Sequence, residues 1–148
     1  MPREENKVLA RRQYEEIWNQ GKLDLIETYF SSDFINFGSP APLDGVRQIV
    51  TAWRTAFPDL HFSVEAQMAE GDQVLSHCTF SGTHLGPFVH PGLGSFPPTG
   101  KHFVVKHMHL DRLRNGQLVE HWAVRDDLGM LQQLGLVSVP GQPKTTSF

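Results

Sequence analysis

Hydrophobic positions change period along this chain, and the change marks its elements. From Glu4 to Asn19 the apolar residues Ala10, Tyr14, Ile17 and Trp18 fall at i, i+4, i+7 and i+8, one face of a helix that Asn19-Gln20-Gly21 stops. Leu23, Ile26 and Phe30 share a face in a second, shorter helix, Leu23–Phe30. Ser31-Ser32-Asp33 breaks it, and Phe34–Phe37 reads as a short strand. After a loop at Gly38–Pro42, Val46, Ile49, Val50, Trp53 and Phe57 make a third helical stripe, which ends where Pro58 pushes its neighbour out of helical geometry. The period then becomes two. Leu60, Phe62 and Val64 alternate with polar residues, Glu70-Gly71-Asp72 is a turn, and Val74–Thr83 is a second long strand. His102–Leu113 and Leu118–Arg125 are two more, joined by an Asn115-Gly116 hairpin turn. A final helix covers Asp127–Leu134, with Gly135 past its end and Asp127 as its N-cap.

Helices first and an antiparallel meander after them make an α+β chain. A strongly curved, mostly antiparallel sheet packed on three N-terminal helices gives a cone with one open mouth, able to hold a pocket on its concave face. Residues 1–139 form one such domain in this reading, and residues 140–148 a flexible tail. The Gly- and Pro-rich segment His84–Gly100 is an irregular loop long enough to act as a lid.

With 39% hydrophobic and 20% charged residues the composition is globular. A net charge of -3 argues against nucleic acid as the main partner, since phosphate binding needs a basic face. No apolar run approaches the roughly 18 residues of a membrane span, and Met1–Asn6 lacks the apolar core of a secretory signal, so a cytoplasmic protein away from the membrane is expected. The single cysteine, Cys78, excludes an internal disulfide and has no motif for nucleophilic work.

Candidate chemistry gathers late in the chain. Asp126 follows a strand and precedes a helix. A carboxylate buried there is costly unless it is used or paired, so it is either a catalytic acid/base or a helix cap, or it pairs with Arg125. Alternation suggests that Arg125 points the other way. His107 and His109, two apart on a strand, face one side with Phe103 and Val105, while Met108 and Leu110 take the other. They could donate to a ligand, relay a proton, serve as ordinary hydrogen-bonded residues, or hold a metal. Zinc would need a third and usually a fourth ligand, which Glu120 or His121 could supply but no spacing demands; neither metal nor cofactor is therefore expected. Asn36, between apolar neighbours, either orients a ligand carbonyl or satisfies backbone. Trp53 and Trp122 are candidate pocket wall, Tyr14 and Trp18 candidate contacts from the first helix, and Phe57 core. His77, His84, His90 and His102 read as loop or surface residues.

Six motifs in order carry a family resemblance. They are Tyr14-Glu15-Glu16-Ile17-Trp18-Asn19-Gln20-Gly21, Asp33-Phe34, Ala56-Phe57-Pro58-Asp59-Leu60, Glu70-Gly71-Asp72-Gln73-Val74, Pro97-Pro98-Thr99-Gly100-Lys101, and the run from Glu120-His121-Trp122 through Leu131-Gln132-Gln133-Leu134-Gly135. Together they resemble the SnoaL-like polyketide cyclases. The resemblance implies the nuclear-transport-factor-2-like cone, a homodimer paired through the outer face of the sheet, and metal-free proton abstraction beside a carbonyl of a small hydrophobic compound, leading to ring closure by intramolecular aldol condensation or to isomerisation. It also implies that Asp126 is the general acid/base, with His107 or His109 bonding the enolate oxygen. An epoxide hydrolase on the same cone would need an Asp-Arg-Asp set, and Asp111, Arg112, Arg125 and Asp126 contain the residue types, though alternation scatters them over two faces. A non-catalytic protein, either a pocket for a small hydrophobic ligand or a dimerisation module, is the third reading.

Overall fold

The computed structural model describes residues 2–90, 92–138 and 140–141. Among the described residues four α-helices, α1 (Pro2–Gln13), α2 (Ile26–Tyr29), α3 (Leu43–Ala56) and α4 (Asp127–Gln133), accompany eight strands. The strands are β1 (Phe30–Asn36), β2 (Ser39–Pro40), β3 (His61–Glu70), β4 (Gln73–Thr83), β5 (Phe88–His90), β6 (Gly94–Phe96), β7 (His102–Arg114) and β8 (Gln117–Arg125). Six of them form one sheet in the order β2-β1-β8-β7-β4-β3, and α1–α3 lie in its hollow. The α+β cone with its three N-terminal helices is as the sequence implied.

Strand β1 begins at Phe30 and runs through Ser31-Ser32-Asp33, read from the sequence as a break, and the second helix shortens to a tight turn at Leu23–Leu25 followed by α2. Three further features differ from the sequence reading. The first helix continues past Gln13 as a π-helical stretch, Tyr14–Asn19, before Gly21 turns the chain at φ 72°. The wider turn presents Tyr14 and Trp18 to the interior, and its end is tied down twice. The Asn19 amide pairs with the backbone of Phe62 (2.9 and 2.7 Å), and Arg54 donates to the carbonyls of Trp18 and Asn19 (2.6 and 3.0 Å). Second, β1 pairs with β8 in parallel, so the meander is closed by the strand that leaves the helices. Third, the segment 84–100 contains a small hairpin, β5–β6. Its base is pinned by His84, which is wholly buried rather than superficial: its backbone pairs with Lys101 and Gly100 (2.8 Å each) and its Nδ1 meets the Thr99 hydroxyl at 3.1 Å. Most of the tail expected at 140–148 lies outside the described residues.

Strand alternation sorts the long strands cleanly. On β7 the buried positions are Phe103, Val105, His107, His109, Asp111 and Leu113, and on β4 they are Val74, Ser76, Cys78, Phe80 and Gly82. Two apolar groups flank the hollow. One is built on Trp53, Phe57, Phe80, Phe88 and Phe103, the other on Ile17, Ile26, Phe34, Val50, Leu113 and Leu118. Each such buried side chain contributes roughly 1.5–3 kcal/mol of transfer free energy. That is enough to hold polar residues between the two groups.

Candidate functional site

Between these groups lies a narrow, partly open hollow of about 80 Å³. Helices supply Tyr14, Trp18 and Trp53 among others, β1 and the turn after it supply Phe34, Asn36 and Phe37, and β3, β4, β7 and β8 complete the wall. Most of the lining is apolar, and most of that is aromatic. The polar groups come chiefly from two adjacent strands. His107, His109 and Asp111 on β7 stand opposite Arg125, Ala123 and His121 on β8. The inward positions of β8 are thus His121, Ala123 and Arg125, and none carries a carboxylate.

The imidazoles form a row. His107 Nδ1 lies 3.2 Å from His109 Nε2, His109 Nδ1 lies 2.9 Å from His121 Nε2, and His121 Nδ1 lies 2.7 Å from the Asn36 side-chain oxygen. Their ring nitrogens engage one another instead of converging on a point where a metal ion could sit. Burial, with Arg125 and neighbouring imidazoles adding to it, favours the uncharged form throughout. It pushes His107 down to about 3 and His121 to about 4, and holds His109 well below the ordinary histidine range.

Asp111 closes the floor. It is wholly buried, one oxygen accepts from the Tyr14 hydroxyl at 3.0 Å, and the other has no partner. Burial raises its carboxyl to about 7 against the opposing effect of the tyrosine bond. Tyr14 in turn rises well above a normal phenol, through burial first and the nearby carboxylate second. Arg125 borders the mouth, its guanidinium 5.8 Å from the Phe37 ring centre and 5.7 Å from that of Trp53. It reaches Asp127 at 3.5 Å and His90 of the β5–β6 hairpin at 3.4 Å.

The structure brings together His107, His109, Asn36, Trp53, Tyr14 and Trp18 around the hollow. It does not bring Asp126 there. That side chain is exposed, accepts from the Gly129 backbone N–H at 2.8 Å, and is itself the N-cap of α4, the place the sequence reading gave to Asp127. Arg125 faces inward, where the sequence reading turned it away. Trp122 is not pocket wall either. It is 44% exposed on the other face of β8, packs near Phe37 and donates to Glu120 at 3.0 Å. Parity explains all three: Trp122, Val124 and Asp126 alternate with His121, Ala123 and Arg125. The hydrolase set is divided as expected, with Arg112 outside, bonded to Asp72 (2.7 Å) and Glu120 (3.2 Å). The sequence reading did not place Asp111 and His121 in the pocket, although Asp111 continues the His107, His109 alternation by one step.

Comparison with known proteins agrees with this architecture. Residues 8–134 match the family model described as SnoaL-like polyketide cyclase. The chain is 29% identical over 127 residues to nogalonic acid methyl ester cyclase of Streptomyces nogalater, covering 80% of this chain and 89% of that one. It is 29% identical over 136 residues to aklanonic acid methyl ester cyclase DnrD of Streptomyces peucetius, covering 86% and 88%. Among solved structures, TsrD from Streptomyces laurentii superposes with a TM-score of 0.79 at 25% identity, covering 91% of this chain and 98% of that one. IdmH from Streptomyces antibioticus does so with 0.74 at 27%, covering 88% and 98%. With a hollow of this build and a family match over nearly its whole length, the chain belongs to the SnoaL-like polyketide cyclase family.

Proposed function

We propose that the protein closes a ring in a small, apolar, carbonyl-bearing molecule by intramolecular aldol condensation, with Asp111 as the acid/base. The observation that supports this most is the Asp111 carboxyl on an apolar floor, one oxygen held by Tyr14 and the other unpartnered. A carboxylate near its ordinary value of about 3.9 is a weak base, whereas one near 7 is matched to neutral pH. The imidazoles, held at lower values, are poorer bases and serve as neutral hydrogen-bonding groups.

In the reaction, Asp111 takes a proton from a carbon beside a carbonyl. The enolate carbon attacks a second carbonyl of the same molecule, one C–C bond forms, and the resulting alkoxide takes a proton back. Arg125, at the mouth, supplies positive charge toward the oxygen that becomes negative. The methyl esters named by two relatives, nogalonic and aklanonic acid methyl ester, are the probes to try first. Product formed by the wild-type protein and lost in Asp111→Asn, with the fold intact, supports the reading. Full turnover in that variant removes it.

A second reading keeps the pocket and drops the chemistry. It is favoured by Asp126, the residue the family resemblance nominates as base, being spent on a helix cap. Saturable binding of those esters without turnover would select it. We also propose a homodimer through the outer face of β7 and β8. There Met108 pairs across the strands with Val124 and Leu110 with Trp122, and Val124, Val104 and Met108 are 76%, 49% and 44% exposed.

A further inference from the structure

We infer that Asn36 fixes the tautomers of the three imidazoles in series, so that His107 meets the hollow with a bare, hydrogen-bond-accepting Nε2 and selects ligands that carry a hydroxyl at that point. The ligand half of this inference rests on the reading of the hollow as the binding site; the tautomer half does not.

The argument is one of proton counting. A neutral imidazole carries one N–H and one bare nitrogen. The Asn36 side-chain oxygen can only accept, so the proton of His121 must sit on the Nδ1 that faces it at 2.7 Å. His121 Nε2 is then bare and accepts, which places the proton of His109 on Nδ1, at 2.9 Å. His109 Nε2 is bare in turn, so the proton of His107 sits on its Nδ1, at 3.2 Å. The row ends at His107 Nε2, without a proton. The count holds because all three rings are uncharged, as their burial requires.

Among the described residues, His84 Nε2 and Asp111 Oδ1 are the side-chain polar atoms both buried and without a partner. His107 Nε2 makes no hydrogen bond to a described residue and is not one of these two, so it is not fully enclosed, on a residue that lines the hollow. The rings of Phe80 and Phe62, with centroids 4.9 and 5.8 Å away, surround the imidazole with apolar surface. A phenol or enol O–H satisfies that nitrogen. A carbonyl or an ether oxygen at the same place sets acceptor against acceptor in a desolvated site. Asn36 is therefore a positioning residue, acting on His107 through two intervening rings, and it need not touch the ligand to govern what His107 accepts.

Two measurements test this on the full chain. Two-bond ¹H–¹⁵N correlation spectra of ¹⁵N-histidine-labelled protein near neutral pH distinguish the tautomers, with His107→Gln providing the assignment. The wild-type protein is expected to show His107 as the Nδ1–H form. Asn36→Asp, which keeps an acceptor oxygen, should retain that pattern, and Asn36→Leu should lose it. A wild-type His107 in the Nε2–H form overturns the inference, as does an unchanged pattern in Asn36→Leu. Titration with 2-naphthol and 2-methoxynaphthalene then reads selectivity. At least tenfold tighter binding of the naphthol is expected, shrinking in Asn36→Leu and restored in Asn36→Asp. Equal binding of the two overturns the ligand half. Binding of neither overturns the pocket reading on which that half depends, while the tautomer pattern is decided by the spectra.

Discussion

At the scale of single residues, the two aspartates near the site have opposite fates. Asp111 keeps its proton to about pH 7 when folded, against about 3.8 when unfolded. The folded state therefore suffers no penalty below the unfolded value, and stability is lost as pH rises through the folded one. Asp111→Asn should accordingly raise the melting temperature at pH 8, reflecting a stabilisation on the order of 4 kcal/mol at most. It should change it little near pH 4, and it should lower turnover roughly 10²–10⁴-fold. Thermal melts at the two pH values, paired with a turnover assay, check both halves. Asp126→Ala should instead cost about 1 kcal/mol through the lost cap and leave turnover intact. Equal loss of turnover in both variants would return the catalytic role to Asp126. The histidines work against Asp111 in acid. Their folded values lie below the ordinary one, so their contribution is present above about pH 6.5 and lost as pH falls toward their folded values. With three such rings against one carboxyl, these four groups together make the fold weaken as pH drops from about 6.5 to about 4, which chemical denaturation across that range would show.

At the scale of elements, much was legible and some was not, for identifiable reasons. The period-two runs marked β4, β7 and β8 within a residue or so, because one face of β4 and of β7 is buried along its length and one face of β8 is at least partly covered. Even the outward fate of Asp126 was written in the parity it shares with Trp122 and Val124. It was obscured because the outer face of β8 is as apolar as its inner one, so hydrophobicity alone did not say which side was in. The π-helical turn and the parallel pairing of β1 with β8 depend on contacts between distant segments and left no local mark. The strap that carries the β5–β6 hairpin is fastened to the end of α3, where Leu85 and Gly86 both donate to the Ala56 carbonyl at 3.0 and 3.1 Å. A methyl group at Gly86 would collide with the Thr55 carbonyl oxygen. Gly86→Ala is therefore expected to destabilise the protein by about 1–3 kcal/mol and to loosen the hairpin. A lowered melting temperature, with faster hydrogen exchange at Phe88 and Val89, is the readout.

At the scale of the whole molecule, the sheet has an inner face that lines the hollow and an outer face on which Val104, Met108, Trp122 and Val124 are exposed. If two copies meet there, Val124→Glu should convert a dimer to a monomer in light scattering coupled to size exclusion, with the fold retained. A wild-type protein that is already monomeric at micromolar concentration would refute the pairing. The bond from His121 to Asn36 joins residues 85 positions apart in sequence, and it exists only once β8 lies beside β1. In the order β2-β1-β8-β7-β4-β3 the last strand to be made is the one that joins the first, so a chain released before β8 emerges would lack both the link between the two halves of the sheet and the proton order that runs across it.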